Sequence, residues 1–282
     1  MGKVYDALRR AEEQRLQVSG EPQAPVHPAV ATLAPAERST ERPWFWRRWL
    51  ERRRQRGAVG EEAGSGNKRR IAMLRPDSFA AEQFRTLRAR LDSVAAQHPL
   101  RTIAIASALP GEGKTLAAVN LAVVSAMGVG RRILLVDCDL RRPRVHVTLG
   151  LAPEAGLAEV LKDRATLSEA VIKVEGSNLE VLGVRMQPPN PSELLASSRM
   201  RSLVEEAARA YDLVIFDVPP TLALPDAKIV CDLADGIVLV VRAGSTGSED
   251  VAATLDVIDR RRVLGLVLNG VEDSARRYGY PE

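Results

Sequence analysis

The chain has 282 residues, 27% of them charged, and a formal net charge of +4, a length that suits one large α/β domain with extra segments better than two full domains. The positive surplus sits in the N-terminal quarter: residues 1–70 hold 15 Lys/Arg against 9 Asp/Glu and residues 71–282 hold 25 against 27, which argues against a nucleic-acid-coating main body and points the basic segment at an anionic partner of its own. Cys138 and Cys231 are too few for a disulfide framework and fit a reducing compartment, no apolar run approaches the roughly 20 residues of a membrane span, and "MGKVYDALRR" lacks a signal-peptide apolar region, so a cytoplasmic location is expected.

Within residues 1–18, "KVYDALRRAEEQRLQV" (residues 3–18) puts Val4, Leu8 and Ala11 on one face of an amphipathic helix. A short docking helix is expected there. From 19 to 74 the text turns to Pro, Ala, Gly and charge, with Pro22, Pro25, Pro28, Pro35 and Pro43 spaced to prevent a long helix. This reads as a largely disordered linker. Within it, "RPWFWRRWLERRRQR" (Arg42 to Arg56) holds all three tryptophans beside seven arginines. Indole rings at headgroup level and guanidinium groups against anionic lipid would make Trp44–Arg56 a peripheral contact with the inner membrane face. A solvated basic stretch that meets a protein partner is the plainer reading of the same residues.

A helix is predicted from Phe79 to about Ala95 with Ser78 as its N-cap. Short runs rich in Val, Ile and Leu follow at "TIAIAS" (102–107), "ILLVD" (133–137), "LEVLG" (179–183), "LVIFD" (213–217), "GIVLVVR" (236–242) and "GLVLN" (265–269), most with helical text between them. Continuous apolar runs of this kind are buried on both faces. The fold class expected over 75–271 is therefore α/β, a mainly parallel sheet flanked by helices, preceded by the disordered segment.

The first run leads through "SALPGEGKT" into the helical text "LAAVNLAVVSAM". Gly113, Lys114 and Thr115 stand where a phosphate-binding loop needs them, although Ala108 replaces its first glycine. In this setting Pro110, Gly111, Glu112, Gly113, Lys114, Thr115 and Leu116 would wrap a polyphosphate at the helix N-terminus, with Lys114 offsetting charge and the Thr115 hydroxyl meeting Mg²⁺. A glycine turn before a helix is the plain alternative. Hard-cation ligands are expected at strand ends, and there stand Asp137 and Asp139 of "ILLVDCDLRRP" and Asp217 of "YDLVIFDVPP". Cys138 reads as a small core residue rather than a reactive thiol, and His27 and His146 as surface or packing residues.

Together, "LPGEGKT", "VDCDLRRP" and "VIFDVPP" resemble the Walker A, second Walker A and Walker B motifs of the bacterial tyrosine kinases that control polysaccharide export. "EQFRTLR", with Glu82, Arg85 and Arg88, is similar to that family's oligomerisation helix, and "PPNPSELLASSRM", "DAKIVCDLADGIVLVVRAG" and "LGLVLNG" match its further segments in order. The resemblance covers about Arg75 to Tyr280. It implies an ATP- and Mg²⁺-dependent tyrosine autokinase in which Lys114, Asp137, Asp139 and Arg141 are catalytic and Asp137 accepts the acceptor's proton. Thr115, Asp137, Asp139 and Asp217 would hold the metal directly or through water, Arg141 would hold the aspartates or meet the phosphates, and Asn269 would present its amide to the base.

Tyr278 and Tyr280 in the tail 272–282 are the implied acceptors, fewer than the tyrosine cluster that family members typically carry. The resemblance further implies a homo-oligomer, arranged as a ring, and a separate membrane chain-length regulator whose cytoplasmic tail activates the kinase. Glu82 and Arg85 also form an i,i+3 pair that would stabilise an exposed helix by themselves. Two other classes remain open: a nucleotide-dependent scaffold without tyrosine transfer, and a partitioning-type membrane-surface ATPase. Leu109 stands where that ATPase family carries its signature lysine, which counts against the second.

Overall fold

Alternation along the strands decides the layers. Side chains on successive strand residues point to opposite faces, so Ile103 and Ile105 enter one core while Ala104 and Ala106 enter the other. Ile133 and Leu135 divide in the same way from Leu134 and Val136. Strands buried on both sides need helices on both sides, and a computed structural model, which describes residues 78–271 apart from Val129, has them. The expected N-terminal helix, linker, Trp/Arg segment and tail tyrosines lie outside the described residues.

In chain order the elements are α1 (Phe79–Ala95), β1 (Thr102–Ser107), α2 (Lys114–Ala126), β2 (Ile133–Asp137), α3 (Val145–Leu149), α4 (Leu157–Leu161), α5 (Leu167–Ala170), β3 (Val171–Lys173) and β4 (Leu179–Leu182). They continue with α6 (Pro191–Ala196), α7 (Ser198–Ala210), β5 (Leu213–Asp217), α8 (Asp226–Cys231), β6 (Gly236–Arg242), α9 (Ser248–Val257), a 3-10 turn (Arg260–Arg262) and β7 (Val263–Asn269). The seven strands are ordered β3-β4-β2-β5-β1-β6-β7. All pairings are parallel except that of β3 with β4.

The predicted helix of residues 79–95 is present, and Ser78 caps it by accepting the Ala81 N–H at 3.2 Å. Its Ala81 and Leu91 enter the core shared with α2, and the Arg88 guanidinium donates to the Val124 carbonyl in the last turn of α2 at 2.7 Å. Such an interaction satisfies one of the carbonyls that a helix C-terminus leaves unpaired. On the opposite side, α7 turns Met200, Leu203, Val204 and Ala207 inward at helical spacing.

Two differences from the sequence expectation have local causes. Edge strand β3 was not predicted: "VIK" is too short for a strand pattern and borrows its stability from pairing with β4. β7 begins two residues earlier than expected because a register shift between Ile237 and Val238 accommodates an extra residue ahead of Gly265. At the site-bearing end, the Asp137 and Asp217 positions are direct partners in the β2–β5 ladder.

Leu135, in the centre of β2, is fully buried against the core shared with α2. Leu135→Ala is expected to lower unfolding stability by about 3 kcal/mol through lost burial and a residual cavity, measured by urea denaturation.

Candidate active site

The loop between β1 and α2 reverses direction within a few residues, which requires left-handed backbone at Gly111 (φ 85°) and Gly113 (φ 98°). At Gly113 a second constraint applies: a Cβ there would lie 2.0 Å from Asn269 Nδ2. The space is taken because Asn269, at the end of β7, donates that amide to the Glu112 carbonyl at 2.9 Å. The amide expected to meet a base thus clamps the loop.

More straps come from the end of β6. Arg242 donates to the Gly111 carbonyl at 2.9 Å, and the Thr246 hydroxyl donates to Glu112 Oε1. The second carboxylate oxygen of Glu112 accepts the Leu109 N–H at 2.8 Å. Burial raises the Glu112 pKa above its ordinary value, against the pull of those hydrogen bonds. Sequence reasoning placed Glu112 in the loop but did not foresee that its side chain braces it, nor the parts of Arg242 and Thr246. Nothing in local spacing signals contacts from residues 131 and 134 positions away.

Lys114, first residue of α2, lies between two carboxylates: its Nζ is 3.2 Å from Asp139 Oδ2 and 3.6 Å from Asp217 Oδ1. The Thr115 hydroxyl donates to Asp217 Oδ2 at 2.6 Å. Asp137, alongside Asp217 in the sheet, is fully buried and held by backbone: Oδ2 accepts the Arg144 and Val145 N–H groups at 3.0 Å each, and Oδ1 accepts the Asp139 N–H at 3.2 Å. Asp139 Oδ1 accepts the Arg142 N–H at 3.0 Å. The structure therefore brings Lys114, Thr115, Asp137, Asp139 and Asp217 together, as the motifs predicted.

Arg141 is placed differently from the first expectation. Instead of holding Asp137 and Asp139, its guanidinium donates to Asp226 Oδ2 at 2.8 Å and to the Ser192 hydroxyl at 2.9 Å. Asp226 is buried and Arg141 is its counter-ion, so a buried charge is paired rather than orphaned. Ser192, whose hydroxyl also donates to Asp226, was not singled out from the sequence. Cys138 points into the core below the site, where burial pushes its thiol pKa well up. His146 is half-buried and unpaired at Nδ1, with a pKa lowered by burial.

Three carboxylates around one ammonium leave a negative surplus in a dry place. Burial, then the neighbouring Asp217, holds the Asp137 pKa well above the ordinary range. Burial likewise raises Asp217, although Lys114 and Thr115 oppose it. Burial disfavours the Lys114 charge, but Asp217, Asp139 and Asp137 outweigh it and raise its pKa. Asp217 Oδ1 is buried without a hydrogen-bond donor. A carboxylate oxygen that has only an ammonium at 3.6 Å, next to a hydroxyl, suits a hard divalent cation. Among the described residues no three His, Cys, Asp or Glu side chains form a ready-made metal cage. The left-handed glycine loop beside these carboxylates fits phosphates.

Glu82 and Arg85 form an ion pair of 2.8 Å within α1, and Arg88 is engaged on α2, so all three have partners inside the chain.

Residues 100–263, more than half of the chain, match a family model described as an AAA domain. The tyrosine-protein kinase YwqD of Bacillus subtilis is 41% identical over 227 residues, covering 79% of this chain and 95% of YwqD. This chain belongs to the bacterial tyrosine-protein kinase family. The kinase domain of the Escherichia coli tyrosine kinase ETK superposes with a TM-score of 0.68 at 33% identity, covering 75% of this chain and 84% of that domain. The succinoglycan biosynthesis transport protein ExoP of Rhizobium meliloti is 38% identical over 205 residues, covering 71% of this chain but 26% of ExoP. The chain thus spans nearly all of one relative and about a quarter of another. Its P-loop α/β fold is that of a nucleotide-binding protein, and no described helix is long and apolar enough to cross a membrane.

Two outcomes test the loop. Gly113→Ala, which combines strained backbone with collision against Asn269, is expected to weaken nucleotide binding by at least about tenfold, read by titration of a fluorescent nucleotide with circular dichroism as the check on folding. For Glu112 the folded pKa lies above the unfolded 4.5, so its contribution to stability is complete below that pH and lost as the pH rises through the folded value. Wild-type stability relative to Glu112→Gln should therefore increase as the solution is taken from about pH 7.5 toward pH 4.5, as measured by urea unfolding in chelator.

Proposed function

We propose that the protein is an ATP- and Mg²⁺-dependent tyrosine kinase that autophosphorylates Tyr278 and Tyr280 of a neighbouring subunit and regulates capsule or exopolysaccharide synthesis and export. The observation that carries this reading is the Lys114–Asp139–Asp217–Thr115 constellation at the mouth of the glycine loop. When bound, magnesium ATP would supply the phosphoryl group and the charge that the surplus of carboxylates calls for. Phosphoryl transfer asks the protein mainly for positioning and charge compensation. Lys114 would trade part of its contact with Asp139 for the phosphate oxygens, and the Gly111 and Gly113 backbone would orient them. Thr115, Asp217 and Asp139, with Asp137, are the residues that would hold the cation, directly or through water.

Asp137 is the proposed proton acceptor for the tyrosine hydroxyl. Its Oδ1, with one long hydrogen bond of 3.2 Å, is the less committed oxygen. Arg141, held by Asp226 and Ser192 at the rim, would meet the phosphates or the acceptor chain rather than the aspartates.

The chain has four tyrosines. Tyr211 is a poor acceptor: its hydroxyl donates to Glu180, its ring lies under the Arg132 guanidinium at 4.9 Å, and burial together with Glu180 pushes its pKa up. That leaves Tyr5, Tyr278 and Tyr280, of which the last two fit a tail that reaches a neighbouring site.

A homo-oligomer using Glu82, Arg85 and Arg88, and an inner-membrane-face location through Trp44–Arg56, belong to the same proposal. So does a membrane chain-length regulator with a cytoplasmic activating tail. Phosphotyrosine mapping after incubation of the purified protein with magnesium ATP and the activator's cytoplasmic tail tests the assignment. Lys114→Met is expected to reduce phosphotyrosine by at least about a hundredfold, and Tyr278→Phe/Tyr280→Phe to remove most of it. Absence of Lys114-dependent phosphotyrosine would leave a nucleotide-dependent scaffold as the better reading.

A further inference from the structure

The two edges of the sheet are built differently. β3 is three residues long, pairs antiparallel and ends in Lys173; shortness and charge keep a sheet edge from accepting another strand. β7 has seven residues, VLGLVLN, with no charge and no proline. Among the described residues it is bonded on one side, to β6, in unbroken register from Gly265 to Asn269, so alternate N–H and C=O groups along that stretch point away from the sheet. Its side chains are half-buried apart from Leu268, which is 60% exposed.

The connections say what belongs beyond β7. Helices α7 (from β4 to β5), α8 (from β5 to β6) and α9 (from β6 to β7) carry the chain toward the β7 edge, and all three pack into the core that takes Ala104 and Ala106. α2 carries it the other way, from β1 to β2, and packs into the opposite core with Ile103 and Ile105. That is one hand throughout, as parallel connections require. α1 enters the same core as α2 through Ala81 and Leu91. It also runs the same way, from the site end of the sheet to the other: Asp92 accepts from Arg131, just beyond α2, at 2.6 Å, and a Cβ on Gly236, at the start of β6, would meet both Leu100 and Leu264. A strand feeding α1 with this hand lies on the β7 side of β1. The two places there are taken by β6 and β7, which leaves the place beside β7.

We propose that the apolar run Ile71-Ala72-Met73-Leu74, which lies outside the described residues, adds to β7 as a further parallel strand. Its place in the chain fits. Arg75, Pro76 and Asp77 separate it from the Ser78 cap, a connection within the roughly two to six residues usual between strand and helix, and Pro76 stops the strand. Consecutive apolar residues suit a strand covered on both faces, and Lys68, Arg69, Arg70 and Arg75 give the new edge the charge that β7 lacks. A second copy could offer its own β7 across a twofold axis, but a segment tethered so close to α1 is present at far higher effective concentration. The linker then ends near Lys68 instead of residue 74, and the strand that carries Asn269 is no longer the edge of the sheet.

Hydrogen exchange of the full chain, read by mass spectrometry over Gly265–Asn269, tests the added strand. Ala72→Pro/Met73→Pro removes an N–H from either phase of that strand. The β7 amides that do not bond β6 are expected to exchange at least about tenfold faster in this variant than in the wild-type chain, with circular dichroism as the check on folding. A second measurement needs no proline: Leu74→Cys/Leu268→Cys, treated at low protein concentration with a short bismaleimide, is expected to close an intramolecular link while the buried Cys138 and Cys231 stay unmodified.

Equal exchange in the wild-type chain and a folded proline variant overturns the proposal, and so does failure of the intramolecular link to form. Protection that rises with protein concentration, or dimers linked through Leu268→Cys alone, assigns the edge to a second copy and overturns it as well. Should the proline variant not fold, the link decides.

Discussion

Two aspartates stand side by side at the buried end of a parallel sheet, and the rest of the site is arranged around that unfavourable fact. Asp137 and Asp217 are ladder partners with no solvent exposure, and like charges in a dry place raise each other's proton affinity. Every nearby feature relieves the strain in part. Backbone N–H groups surround Asp137, the Thr115 hydroxyl and Lys114 meet Asp217, and Lys114 reaches Asp139 as well. What is left over is negative charge and a carboxylate oxygen without a hydrogen bond, which is the state a nucleotide-bound cation complements.

The glycine loop is rigid for a different reason. Its backbone is committed to left-handed turns, and three residues at the ends of β6 and β7 hold it there: Arg242, Thr246 and Asn269. Phosphate binding by backbone N–H groups depends on their being aimed before the ligand arrives. Here that aim comes from β6 and β7, while the carboxylates come from β2 and β5. The central strand β1 lies between β5 and β6, so the sheet order itself brings the two sets of groups to one mouth.

The rim beyond this mouth is built from the same segment that anchors the aspartates. Arg141 joins the β2 loop to α6 and α8 through Ser192 and Asp226. Its neighbours Arg142 and Arg144 turn outward. A disturbance of this segment is therefore mechanically close to Asp137 and Asp139, which accept its backbone N–H groups.

Much of this was legible before any coordinates. Runs of Val, Ile and Leu buried on both faces have one stable arrangement, a parallel sheet between helices, and a strand–glycine loop–Lys-Thr–helix order carries its own chemistry because the groups that bind phosphate are adjacent in the chain. Ser78 as a cap, Lys114, Thr115 and the strand-end aspartates followed from such local rules, and so did Cys138 as a core residue. Edge strand β3, the pairing of Arg141 with Asp226, the bracing role of Glu112 and the bond from Asn269 to the glycine loop did not. Each depends on residues that only the folded chain brings within hydrogen-bond reach, such as Asn269 and Glu112, 157 positions apart. The sequence by itself determined which groups the site contains. Tertiary structure decided which partner each group holds, because a buried polar atom takes whatever donor or acceptor the packing of the sheet leaves beside it.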